Sequence, residues 1–287
     1  MIDLGGVAII GTGQMGTTIG RALTALPSGT IGEVLAWDPD AAALEGCLAL
    51  GGAHRRLSSA LGALGAEVIV LAAPVDAAVT LVGELGPRLR PDQLLLDTGS
   101  AKVQVVAAMR RSVAAGAGAV GGHPLCGGTG SGPAAGDPAR LAGATFVLCP
   151  VREDSRALEV AGRLVGLLGA RQLVLSAEEH DRALARTSHL PHLTAAALAQ
   201  LCTRGFRESA PRLSAGGLRG AVRLARSDPA MVASFICANL EEVRTAAAEL
   251  TSQLNDLLRK AEAGQSALEA ELSLARTAAL GLGDDGS

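Results

Sequence analysis

The amino-acid sequence predicts the α/β class: a mainly parallel sheet with helices on both faces over residues 1–175, then an all-helical part over residues 176–287. Three observations lead there. Short β-branched or leucine-rich runs alternate with helical stretches as far as residue 175, the order that builds a parallel sheet through crossover connections. The run Val68–Ala72 is apolar throughout, as a strand covered on both sides must be. Beyond residue 176 the strand pattern stops. A chain of 287 residues accommodates about two domains of ordinary size.

Taken in order, strands are expected at Val7–Ile10, Val34–Trp37, Glu67–Ala72, Leu94–Asp97, Ala117–Gly121, Ala144–Cys149 and Gln172–Leu175. Helices fall between most of them, at Met15–Leu26, Val75–Leu85, Val103–Ala114 and Ser155–Leu168. In the second part, Glu178–Cys202 reads as one long helix and Met231–Ala261 as another. The latter carries apolar residues near 232, 236, 240, 243, 247, 250, 254 and 257. At 1.5 Å per residue it would be roughly 45 Å long. A helix of that length outruns a small domain, so its apolar stripe is expected to bury against a second copy, making a homodimer. The tail Gly281–Ser287 reads as disordered.

Composition removes several classes of function. Lys and Arg number 25 against 28 Asp and Glu, so no basic face for nucleic acid is expected, and one Trp and three Phe leave little to stack on bases. Apolar runs such as Val68–Val75 are about eight residues long, too short to cross a bilayer. No cationic segment precedes the apolar start, so no secretory signal is expected. The five scattered cysteines lack a C-x-x-C pair and suit reduced thiols in the cytoplasm better than a disulfide framework or zinc site. Tyr is absent, which excludes a phenol as acid, and Lys102 and Lys260 are the only lysines.

Gly11-Thr12-Gly13-Gln14-Met15-Gly16 follows the first strand and opens the first helix. Alone, G-x-G-x-x-G is weak, but strand before and amphipathic helix after are the context of a Rossmann dinucleotide site. Gly11 would make the tight turn, Gly13 would admit a pyrophosphate to the backbone, and Gly16 would let helix and strand pack. The helix N-terminus adds free N–H groups and the positive end of its dipole. Asp38 ends the second strand 22 residues beyond Gly16. A carboxylate there accepts bonds from ribose hydroxyls and repels a 2′-phosphate, which favours NAD over NADP. The expected cofactor contacts are Gly11, Thr12, Gly13, Gln14, Met15, Gly16, Asp38, Ala73 and Pro74.

Four polar islands stand out from the Ala/Leu/Gly background. Asp97-Thr-Gly-Ser100-Ala-Lys102 follows a buried strand at its carboxyl end, where ligands of such sheets sit. Ser100 could contact ligand, cap the next helix, or both; Lys102 reads either as a ligand contact or as a solvated first-turn lysine. Gly121-Gly-His123-Pro begins where a strand ends and enters a glycine-rich loop reaching Pro138. His123, held extended by Pro124, has the ordinary imidazole pKa near 6.5 that suits a general base. His180-Asp181 and Thr187-Ser188-His189-Leu-Pro191-His192 share one helical stretch. At 100° per residue Ser188, Asp181, His192 and His189 fall near about 0°, 20°, 40° and 100°, one stripe, and Pro191 is expected to kink the helix. A metal at His189 and His192 lacks a third ligand of matching quality, and none is expected. Finally, Gly216-Gly217 leads to Arg223 and to Ser227-Asp228-Pro229, a setting for carboxylate capture by a guanidinium.

These ordered motifs resemble the prephenate/arogenate dehydrogenase family of tyrosine biosynthesis: G-T-G-x-M-G, D-x-G-S-x-K, G-G-H-P-x-x-G, H-D-x6-S-H-L-P-H and G-G-(x5)-R-(x3)-S-D-P. The resemblance covers nearly the whole chain. It implies a Rossmann domain followed by a helical dimerisation domain, and NAD-dependent oxidation of a cyclohexadienol with loss of CO₂. By motif, it makes His123 the catalytic histidine and Ser100 the serine that positions hydroxyl and nicotinamide. It puts Ser188, His189, His192, Arg223, Thr129 and Gly217 in the substrate pocket, with Arg223 on a carboxylate. Two positions depart from the family pattern: Thr129 stands where a Glu is common, and Val232 where a Trp is common. They leave prephenate, arogenate and an amino-substituted analogue open as substrates. Neither a mutase domain before the nucleotide domain nor a regulatory ACT domain after the helices is expected. Two rivals remain: another two-domain reductase of a β-hydroxyacid or imine, and a non-catalytic NAD sensor. The first would need a helical-domain lysine, for which only Lys260 is available, far from any glycine motif.

Overall fold

The computed structural model describes residues 4–128, 130–153, 155–204 and 215–282. Eight strands form one sheet in the order β3-β2-β1-β4-β5-β6-β7-β8. They are β1 (Val7–Ile10), β2 (Val34–Trp37), β3 (Arg55–Arg56), β4 (Val68–Leu71), β5 (Leu94–Asp97), β6 (Gly118–Pro124), β7 (Thr145–Pro150) and β8 (Arg171–Val174). Pairing is parallel from β3 through to β6; β7 runs antiparallel to β6, and β8 parallel to β7. The order 3-2-1-4-5-6 puts the topological switch between β1 and β4, and the crevice at their carboxyl ends is where such sheets bind ligands.

Five helices serve the sheet: α1 (Gln14–Thr24), α2 (Ala41–Ala49), α3 (Val75–Leu85), α4 (Val103–Ser112) and α5 (Ser155–Leu167). The inner strands β1, β4 and β5 are buried at every residue, and two apolar clusters, one per face, fill the space under the helices. The α/β architecture is as expected, with two corrections. The two-residue strand β3 has no apolar pattern to announce it, since both residues are exposed arginines. The β6 strand runs on to Pro124, because the antiparallel β7 pairs with Gly121, Gly122, His123 and Pro124; His123 therefore sits in a strand and not at the mouth of a loop. The glycine-rich stretch beyond it folds back over α1, with Arg21 Nη1 donating to the Gly136 carbonyl at 2.7 Å and Asp137 N to Thr18 Oγ1 at 3.0 Å.

The helical part opens with α6 (Ala177–Leu184), held by a capping box between Ser176 and Glu179. The expected single helix Glu178–Cys202 is interrupted by a π-helical turn at Ala185–His189 before α7 (Leu190–Thr203). Pro191 explains it: without an N–H, Pro191 cannot bond the Thr187 carbonyl, and the chain inserts a wider turn just ahead. After it come α8 (Gly216–Ala221) and a 3₁₀ turn at Arg223–Arg226. The expected helix Met231–Ala261 is two: α9 (Pro229–Ala238), capped by the Asp228 side chain, and α10 (Leu240–Ala263), parted at Asn239. Then α11 covers Gln265–Gly281. Residues 283–287 of the expected disordered tail lie outside the described residues. By compactness the chain divides into Met1–Leu240 and Glu241–Ser287. Among the described residues, no helix is long and apolar enough to cross a membrane, and no three His, Cys, Asp or Glu side chains are grouped to hold a metal.

Candidate active site

The nucleotide end is built as its glycines require. Gly11 has φ +96°, and a Cβ there would lie 2.4 Å from the Ala72 carbonyl. A Cβ on Gly16 would lie 1.8 Å from the Gly11 carbonyl, so only glycine lets α1 pack on the turn. Gly13 has nothing within 4 Å of its Cβ position, which leaves open the approach a pyrophosphate needs beside the N-terminus of α1. Asp38 accepts from Thr12 N at 2.6 Å, from Thr12 Oγ1 at 3.0 Å and from Asp40 N at 2.8 Å. The carboxylate thus ties the end of β2 to the glycine turn, and Oδ1 keeps acceptor capacity for a ribose hydroxyl. Ala73 and Pro74 lie across the switch point, between β4 and α3; Gln14 reaches the Ala135 carbonyl at 3.3 Å, and Met15 packs on the sheet core.

At the other end of the crevice, β5 ends on Asp97 and β6 carries Gly122 and His123. Lys102 is fully buried, paired with Asp97 through a short contact and donating to the Gly122 carbonyl at 2.7 Å. Asp97 in turn accepts from Gly99 N at 2.8 Å and Gly122 N at 3.1 Å. Lys102 is thus neither solvated nor open to ligand: it clamps the ends of β5 and β6. Removing one partner of a buried pair of this kind costs about 3–5 kcal/mol.

Ser100 is half-buried and does not cap α4. The cap comes from another element: the Asp181 carboxylate on α6 accepts from Lys102 N at 2.7 Å and Val103 N at 2.9 Å. The same carboxylate lies 2.7 Å from His180 Nδ1, and His180 Nε2 lies 2.9 Å from His123 Nδ1. These partners assign the protons. Asp181 can only accept, so His180 donates from Nδ1 and offers Nε2 as acceptor. His123 then donates from Nδ1, and its Nε2 is the unprotonated nitrogen. Burial first, then His180, Lys102 and His189, hold the His123 imidazole well below its ordinary value, so the ring is neutral near pH 7. A neutral imidazole of fixed tautomer at the carboxyl end of β6 can act as a general base.

His180 stands in the sequence motif directly before an acid, but 57 residues separate it from His123, and nothing in the sequence joins the two.

The expected single stripe of Asp181, Ser188, His189 and His192 does not form, because the π turn breaks the 100° phase. His189 is fully buried beneath Ser100: Nε2 donates to the Ser100 carbonyl at 3.2 Å, Nδ1 accepts from Asn239 Nδ2 at 3.2 Å, and the ring stacks on Phe235 at 4.7 Å. Both nitrogens are engaged within the protein, so an expected substrate contact through His189 is replaced by support of Ser100. Burial pushes its pKa down to about 4, against the raising influence of the Ser100 bond and the Asp181 carboxylate. Ser188 and His192 are half-buried; His192 Nδ1 donates to the Ser188 carbonyl at 3.0 Å, and its Nε2 faces Ser227 Oγ at 3.4 Å. The turn bearing exposed Arg223 packs on α7, which bears His192. Gly217 lies in the helix α8 and not in a loop, with nothing within 4 Å of its Cβ position, so no close approach calls for glycine there. Thr129 lies outside the described residues.

Residues 19–174 match the family model "Prephenate dehydrogenase, nucleotide-binding domain", and residues 176–272 match "Prephenate dehydrogenase, dimerization domain". The chain belongs to the prephenate dehydrogenase family. Among relatives, a cyclohexadienyl dehydrogenase of Zymomonas mobilis is 31% identical over 67% of this chain and 71% of its own. A prephenate dehydrogenase of Bacillus subtilis is 30% identical over 62% of this chain, a match spanning about half (49%) of the relative's length. A solved prephenate dehydrogenase of A. aeolicus, in complex with hydroxyphenyl propionate and NAD+, superposes with a TM-score of 0.88 at 25% identity, covering 98% of this chain and 99% of that one. A Synechocystis arogenate dehydrogenase, at 21% identity and a TM-score of 0.78 over 95% and 98% of the two chains, shares the fold. Family membership makes this a nucleotide-dependent dehydrogenase, while identities near 30% leave the cyclohexadienyl substrate unresolved.

Proposed function

We propose that the protein catalyses the NAD-dependent oxidative decarboxylation of prephenate to 4-hydroxyphenylpyruvate. One observation carries the reading: the Asp181–His180–His123 chain leaves His123 Nε2 as a neutral acceptor at the ligand end of the sheet. The cofactor is NAD, in keeping with the NAD+ of the Aquifex relative, and Gly11, Thr12, Gly13, Gly16 and Asp38 would hold it, with Gln14, Met15, Ala73 and Pro74 bordering it. When bound, it would supply the hydride acceptor for the ring carbon that bears the hydroxyl.

His123 Nε2 takes the hydroxyl proton as the C–H bond gives up its electrons. The ring carbonyl that forms draws, through the conjugated ring, the electrons of the C–COO⁻ bond on the carbon para to it; CO₂ leaves, and the phenolate left behind takes the proton back from His123 to give an aromatic phenol. Ser100 steadies the reacting hydroxyl. Ser188 and His192 line the pocket, and Arg223 holds a substrate carboxylate by its guanidinium fork. Residues 1–175 serve the nucleotide and residues 176–287 the substrate and a second copy. The dimer is supported by the family description and by Leu254, Leu258, Leu272 and Leu280, each half or more exposed. Five free cysteines suit a reducing cytoplasm.

The test is turnover of prephenate and of arogenate, each with NAD and with NADP, followed by the absorbance of the reduced nicotinamide. Prephenate with NAD should give the highest kcat/KM. A preference for arogenate overturns the substrate assignment, and no turnover of either overturns the reading.

A further inference from the structure

Asn239 stands where the sequence reads an unbroken helix, and nothing in the reaction as described so far uses it. It is buried, 5% exposed, at φ −121° and ψ 32°, between α9 and α10. Its backbone N–H closes α9 on the Phe235 and Ile236 carbonyls, each at 3.2 Å. Its side-chain Nδ2 has two hydrogens and two acceptors: the Asp181 carbonyl at 2.7 Å and His189 Nδ1 at 3.2 Å. Each acceptor leads to a different working group. Asp181 holds His180, which holds His123. His189 holds the carbonyl of Ser100.

We propose that Asn239 is a positioning residue for the dehydrogenase reaction: one buried amide nitrogen, donating to Asp181 and to His189, sets His123 and Ser100 relative to each other. The proposal rests on the function given above. Only an amide fills the role. A carboxylate of the same shape has no hydrogen to give the Asp181 carbonyl, and it invites a proton on to His189 Nδ1. An apolar residue leaves a buried carbonyl and a buried ring nitrogen without donors. Two arms fixed by one group move together, and loss of near-attack geometry by about 1 Å costs on the order of 100-fold in rate.

The experiment compares Asn239→Asp, nearly identical in shape, and Asn239→Ser, smaller but still a donor, with the unmodified chain. Three quantities are read: kcat, NAD affinity from the fluorescence of Trp37, which adjoins Asp38, and the pH profile of kcat/KM. Asn239→Asp should lower kcat by about 10- to 100-fold with NAD affinity within two-fold, and should move the acid limb to higher pH, since a new negative charge favours protonated imidazole. Asn239→Ser should recover part of kcat and leave the acid limb in place. Folded variants with kcat within two-fold and an unmoved limb overturn the proposal. So does a parallel fall of kcat, NAD affinity and Tm in both variants, which marks a residue that only holds the fold. If the unmodified chain turns over neither prephenate nor arogenate, the assigned function fails separately. Histidine ¹⁵N NMR of the full chain then decides for Asn239: a changed His123 signal in Asn239→Asp supports it, and an unchanged one overturns it.

Discussion

His123 Nδ1 lies 2.9 Å from His180 Nε2, and that contact decides which nitrogen of His123 is left to take a proton. The order of partners runs outward from Asp181, which can only accept. A His–His pair without the acid would have no fixed direction, and the two facing nitrogens would exchange donor and acceptor roles.

His123→Asn is therefore expected to lower kcat by about 10² to 10⁴, the range for loss of a general base, with NAD affinity by Trp37 fluorescence little changed. His180→Asn should lower kcat by about 10- to 100-fold, as loss of an orienting neighbour does, and leave KM for NAD near its original value. Steady-state kinetics check both. A His180→Asn enzyme with unaltered kcat would show that His123 needs no partner.

Asp38 ties the end of β2 to Thr12, and the ribose contact is the role proposed for it. Asp38→Ser removes the repulsion of a 2′-phosphate and the charged end of three hydrogen bonds. NAD should bind about tenfold more weakly, near the worth of one hydrogen bond to a charged group, while the NAD to NADP ratio of kcat/KM falls. An unmodified protein that uses both nucleotides equally would contradict the role given to Asp38.

What the sequence made legible follows from range. Gly11, Gly13 and Gly16 lie within one βαβ unit, and their spacing states the tight turn, the open approach and the close helix packing found there, though not the bond from Thr12 to Asp38. The inner strands are equally plain, since burial on both faces leaves only apolar residues. The π turn at Ala185–His189 was half legible: Pro191 foretold a distortion but not that it adds a residue to the turn and splits Ser188 and His192 from His189. The Asp181 cap on α4 and the Lys102–Asp97 clamp join elements distant in sequence or hidden by ordinary surface chemistry. Asn239 was illegible, because a single Asn inside an apolar helical pattern has no signature until its partners are known.

Arg223 is exposed on a turn that packs against α7, free of the buried network that holds His123. Arg223→Ala should thus act on binding: KM for the cyclohexadienyl substrate is expected to rise about tenfold or more, with kcat and NAD affinity nearly unchanged. Unchanged KM would remove the carboxylate contact from Arg223.

The buried imidazoles set a direction for stability with pH. His189 titrates near about 4 in the fold, against about 6.5 in an unfolded chain, and His123 is lowered too. Between those values the unfolded chain binds the protons that the folded one refuses, so stability rises with pH there and is lost as pH falls from about 6.5 toward 4. Above about 6.5 both states hold neutral rings and these residues add no slope. For His189 alone the loss approaches about 3 kcal/mol at the acid end. Urea unfolding from pH 7.5 down to 4.5 should show the decline, and His189→Gln, which keeps a donor for the Ser100 carbonyl without a titrating ring, should flatten it. A slope identical in the two proteins would show that His189 is protonated in the fold over the same range as in the unfolded chain.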